Sequence, residues 1–100
     1  MIAPPHFDAV IHAPGRLQIA AMLASVEEGE FAALRDAVGV SDSVMSKHVK
    51  ALEDAGYVRV RKAARDGRSR TWLALTAAGR KAFSAHVAEL NRLATLRAAE

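Results

Sequence analysis

The chain has 100 residues, 51% hydrophobic and 25% charged, with 14 Lys plus Arg against 11 Asp plus Glu and no cysteine. A chain of this size hides between about 60% and 70% of its unfolded surface, which supports one thin core and excludes two independent domains; residues 1–100 are therefore expected to form a single domain. The lack of cysteine removes disulfide staples, thiol catalysis and thiolate metal sites. No apolar run approaches the ~20 residues of a membrane span, and MIAPPHFDAV lacks the cationic start of a secretory signal, so the expected location is cytoplasmic.

In chain order, Met1 to Pro5 reads as a loose terminus, and Phe7, Val10 and Ile11 suggest a first helix of about two turns. Pro14 suits the first turn of a second helix, where its missing N–H costs nothing. Ile19, Met22, Leu23 and Val26 follow helical spacing along it, and EEGE closes it as a polar turn. Phe31, Leu34 and Val38 line one face of a short third helix that stops at Gly39. Ser41 is a suitable N-cap for a fourth helix, about residues 42–55, with Val40 and Met45 placed as a hydrophobic staple. Met45, Val49 and Leu52 point inward, and Gly56 supplies the stop.

The period then changes. YVRVRKA alternates apolar and cationic residues, with Val58 and Val60 on one strand face and Tyr57, Arg59 and Arg61 on the other. RTWLALT does the same with Leu73 and Leu75, and Asp66-Gly67 between them is a turn signal, so the pair reads as a hairpin. Thr76 caps a last helix, residues 77–98, whose Phe83, Val87, Leu90, Leu93 and Leu96 recur at spacings of four and three. The expected fold class is mainly α with a small β-hairpin, a winged helix-turn-helix.

Charge is concentrated rather than spread. Between Lys47 and Arg70 eight cations face three acids, a surplus of +5 in a chain whose total is +3. One basic segment on a near-neutral body points to a polyanion site. On the fourth helix, Ser43, Ser46, Lys47 and Lys50 fall opposite the buried residues. Small hydroxyls permit close approach to a groove wall and lysines supply phosphate contacts, as a helix in a major groove requires. Ser41, Val44 and His48 complete this DNA-binding set. His48 lies at the border of the two faces, where packing against the third helix competes with a phosphate contact. Asp42 sits near where phosphates would lie but complements the helix dipole.

Four stretches together resemble the winged-helix regulators of the MarR and ArsR groups: Ser41 to Val49, LEDAGYV at Leu52 to Val58, the DGRSR loop, and LTAAGR at Leu75 to Arg80. With the upstream APGRLQIAAML segment the resemblance covers roughly residues 12 to 90. It implies that the hairpin is a wing, residues 62–70, reaching along the backbone toward a minor groove. Arg61, Lys62, Arg65, Arg68, Ser69 and Arg70 are its expected DNA contacts, with Arg68 at the tip, since arginine suits a narrow minor groove. Arg59 and Trp72 are expected to share a sheet face, where stacking of guanidinium on indole competes with a nucleic-acid contact.

One copy of so small a helix-turn-helix offers limited contact, which favours a two-fold dimer on double-stranded DNA. The last helix is the expected seam, through Phe83, Val87, Leu90, Leu93 and Leu96, with Phe7, Val10 and Ile11 as the partner surface. No enzyme signature occurs: there is no Gly-rich phosphate loop after a strand and no H-E-x-x-H, and the four histidines are dispersed. No cofactor or metal is expected. The expected function is a sequence-specific transcriptional regulator, a homodimeric repressor; the alternative is a winged-helix module that binds an acidic protein partner.

Overall fold

The computed structural model describes residues 3–96, with Arg65 described by its backbone alone. The expectations for Met1, Ile2 and residues 97–98 lie outside that range. Along the chain run α1 (Ala9–His12), α2 (Pro14–Ala24), β1 (Gly29–Glu30), α3 (Phe31–Val38), α4 (Asp42–Asp54), β2 (Val58–Arg65), β3 (Arg68–Leu75) and α5 (Ala77–Ala94). The result is a winged helix: among the described residues, five helices around a three-stranded antiparallel sheet ordered β1-β3-β2.

Most boundaries follow local chemistry. Ser41 Oγ accepts from the Val44 amide at 3.2 Å and opens α4 as its N-cap. At the hairpin tip both Asp66 (φ 53°) and Gly67 (φ 75°) are left-handed, which makes a two-residue turn whose twist matches the strands. The register runs from Val58 opposite Leu75 to Arg65 opposite Arg68.

Three expectations change. The first helix is a single turn, started by Asp8, whose carboxylate accepts from the Val10 and Ile11 amides at 2.9 and 3.1 Å. EEGE is more than a turn, because Gly29 and Glu30 pair with Leu73 and Trp72 as a third strand. Two residues carry no period, so only the edge of β3 decides that they are a strand. Val26 falls outside α2 and is exposed rather than part of its buried stripe.

The core joins α2 (Ile19, Ala20, Leu23), α3 (Leu34), α4 (Met45, Val49, Leu52) and the inner sheet face (Val58, Leu73, Leu75). The LTAAGR stretch turns out to be a structural junction. Thr76 Oγ1 accepts from the Gly79 amide and donates to the Gly56 carbonyl at 2.6 Å. At Gly79 any Cβ would overlap the Tyr57 carbonyl, so only glycine lets α5 pass this close to the strand. Arg80 reaches back to the Ala24 and Val26 carbonyls, both at 3.0 Å, and satisfies acceptors left open at the end of α2.

Candidate nucleic-acid interface

The buried stripe of α4 turns its other side outward, leaving Ser41, Ser43, Val44, Ser46, Lys47 and Lys50 exposed. His48 is half-buried, and its ring lies so close over Gly15 that a Cβ there would overlap it. It therefore packs on the N-terminus of α2, a neighbour the sequence reading did not name. Burial, and then the charge of Arg16, hold its imidazole below the ordinary histidine value.

Beside α4 the hairpin projects as the wing, and a groove of about 660 Å³ runs between them, lined by Asp42, Ser46 and Glu53 of α4, by Lys62, Arg68, Ser69 and Arg70 of the wing, and by Glu30 and α3 residues including Arg35. The wing cations divide into two sets. Arg61 makes a bidentate pair with Glu28, both bonds 2.9 Å, and Arg70 donates to Glu30 at 2.6 Å. Glu28 is held below the usual carboxylate range by the hydrogen bonds from Arg61. Both glutamates come from the EEGE segment, whose role is invisible until β1 docks. Lys62, Arg68 and Ser69 are exposed, and among the described residues no acid lies within ion-pair distance of Lys62, Arg68 or Lys47. Lys50 is tied to Asp54 at 3.2 Å, one helical turn on. Arg65 is in register at the tip opposite Arg68.

The expected stacking partner of Trp72 also changes. Arg59 pairs across the sheet with Ala74, while Arg61 is opposite Trp72 and lies 5.9 Å from its ring centroid. A slip of two residues in register, which keeps each side chain on its own face, is enough to exchange these two arginines.

Arg35, absent from the sequence-based set, joins the helix-turn-helix together. Its guanidinium donates to Asp42 at 2.6 Å and to Asp36 at 3.0 Å, binding α3 to the first turn of α4.

On the far side, the expected dimer residues separate. Ile11 is 0% exposed and belongs to the core, so it presents no surface to a second copy. Val10 and Phe83 also pack against that core. Val87, Leu90 and Leu93 are half-buried on α5, and Leu96 lies beyond the end of the helix and is 43% exposed. Phe7 is exposed and stacks on His12, ring centroids 4.2 Å apart.

The histidines are less dispersed than their spacing suggests. His12 Nδ1 and His86 Nε2 share a hydrogen bond of 3.0 Å between α1 and α5. His86 is buried; burial, then the nearby His12, push its imidazole below the ordinary value. Tyr57 Oη donates to Asp8 at 2.6 Å in the same junction. Among the described residues, no group of three or more His, Asp or Glu is placed to hold a metal ion, and no helix is long and apolar enough to cross a membrane.

Comparison with known proteins agrees with this geometry. A family model described as a winged helix DNA-binding domain matches residues 16–94. The uncharacterized protein MJ0432 of Methanocaldococcus jannaschii is 33% identical over 78 residues, covering 78% of this chain and 85% of that protein. The transcriptional regulator homologue protein from Pyrococcus horikoshii OT3 superposes with a TM-score of 0.81 at 22% identity, over 87% of this chain and 86% of that one. The transcriptional repressor BigR from Xylella fastidiosa does so at 0.65 and 19% identity, over 90% and 84%. At these identities the two structures speak to the fold alone.

Proposed function

This chain belongs to the winged helix DNA-binding domain family, and from that premise we propose that it acts as a homodimeric repressor that recognises a pseudo-palindromic duplex. In this reading α4 enters the major groove with Ser43, Ser46 and Lys47 toward the bases and phosphates. The wing follows the backbone with Lys62 and Arg68. The observation that carries the proposal is the groove between α4 and the wing, which brings together Ser46, Ser69 and the cations Lys62 and Arg68, neither of which has an ion-pair partner among the described residues. Arg61, Arg70 and Lys50 contribute less than their charge suggests, because each already has an acid partner.

The dimer is assigned to the outer half of α5, through Val87, Leu90 and Leu93, with Phe7 as a neighbour. Two-fold symmetry then demands two half-sites spaced by about one helical turn, roughly 34 Å, or a multiple of it. Selecting duplexes from genomic fragments should enrich an inverted repeat, and sedimentation should give twice the chain mass. Binding to the selected site should fall steeply with salt. Enrichment of no sequence, together with weak and salt-independent binding, would overturn the reading.

A further inference from the structure

We propose that Arg35 is a positioning residue that masks the carboxylate of Asp42, so that a phosphodiester strand can enter the groove between α4 and the wing. The inference rests on the DNA-binding reading above. Asp42 is the first residue of α4, its side chain is 74% exposed, and it lines the same groove as Ser46, Lys62 and Arg68. Two further carboxylates line that groove: Glu30, which is paired with Arg70, and Glu53, which has no ion-pair partner among the described residues. An unpaired carboxylate there opposes an incoming phosphate, even though it suits the helix dipole.

Arg35 resolves this conflict at Asp42, the carboxylate in the first turn of α4. It comes from the helix behind, is only 28% exposed, and meets Asp42 through a bond of 2.6 Å. Asp36 holds the same guanidinium at 2.9 Å and does not line the groove, so the arginine is clamped between two acids with one face turned to the site. Being less exposed than either acid, Arg35 acts on DNA through Asp42 and not as a phosphate ligand. Screening at physiological salt, with a Debye length of about 8 Å, confines the mask to phosphates that sit in the groove itself.

A double-mutant cycle on the full chain tests this, using fluorescence anisotropy with a labelled mixed-sequence duplex of roughly 24 base pairs at low salt. Arg35→Met should bind about fivefold to tenfold more weakly, and Asp42→Asn should bind at least as tightly as the parent. Arg35→Met/Asp42→Asn should recover the affinity of Asp42→Asn to within about twofold, and Arg35→Lys should stay near the parent because a lysine still meets the acid. If the double variant stays as weak as Arg35→Met at the same melting temperature, Arg35 contacts phosphate itself and the mask is wrong. A double variant that melts lower and binds worse assigns the arginine to fold maintenance, which also overturns the mask. Should Arg35→Met not fold, Asp42→Asn alone decides, because weaker binding by that variant contradicts the proposal. A parent chain without salt-dependent duplex binding overturns the DNA-binding reading as a whole. A parent that binds while Arg35→Met is unchanged removes only the mask.

Discussion

Two sides of this molecule use polar residues in opposite ways. On the side of α4 and the wing, charges lie on the surface, and their ion pairs are solvent-accessible. At the junction of α1, the start of β2 and α5, polar groups bond partly inside the fold: half-buried Tyr57 bonds half-buried Asp8, exposed His12 bonds buried His86, and Gly79 lets two backbones touch. An exposed ion pair contributes little to stability because water already solvates both partners, whereas a buried group without its partner is costly. Substitutions on the first side should therefore change binding and spare the fold, and those on the second should do the reverse.

The largest effects expected are on stability, at the junction and in the core beneath it. Gly79→Ala pushes a methyl group into the Tyr57 carbonyl and should cost about 2 to 3 kcal/mol of unfolding free energy in a denaturant titration. A variant as stable as the parent would mean that α5 can slide away from the strand. In the core beneath, Leu23→Ala should cost a comparable amount, about 2 to 5 kcal/mol, by leaving a cavity.

Next in size is the binding side. Removing Lys62 and Arg68 together should weaken duplex binding by about tenfold or more and reduce the slope of log affinity against log salt by about two, with melting unchanged. A drop in melting temperature without a change in slope would erase the distinction between the two sides.

A smaller, pH-dependent effect separates them further. The folded values of His86 and His48 lie below the ordinary 6.5, so the unfolded chain takes up protons that the folded one resists. Their contribution is complete above that value and declines as pH falls from it toward the folded values. Asp8 behaves in the same sense at lower pH. Burial pushes its carboxyl up, but the bonds from Tyr57 and from the Ile11 and Val10 amides outweigh this and leave it below 3.8, so its contribution fades as pH drops through the carboxylate range. Melting followed from about pH 7 to pH 5 should fall for the parent and fall less for His86→Phe. Equal slopes would show that His86 is protonated as easily in the fold as outside it.

The smallest effect belongs to the base of the wing. Arg61→Met should alter duplex affinity by less than about threefold, since its charge is already answered by Glu28. A loss equal to that of Arg68→Ala would place both arginines on the phosphates.

Much of this architecture was readable along the chain because the signals are local. Ser41 caps α4 through its own side chain, Asp66-Gly67 turns the hairpin through its own dihedrals, and the period of Met45, Val49 and Leu52 exposes the hydroxyl and lysine face by default. The candidate interface was legible for the same reason, as a face and a loop. Which of its cations are engaged was not, since Glu28, Glu30 and Arg35 act across the fold on partners 33, 40 and 7 residues away.

The amino-acid order by itself determined the succession of helices, the wing and the concentration of positive charge, because capping, turn chemistry and hydrophobic period act within a few residues. Tertiary packing alone decided that Gly29-Glu30 becomes a strand, that Ile11 is core and not seam, that Arg61 and not Arg59 covers Trp72, and that two histidines 74 positions apart share a hydrogen bond. Those outcomes depend on register and on contacts between distant segments, which no local pattern encodes.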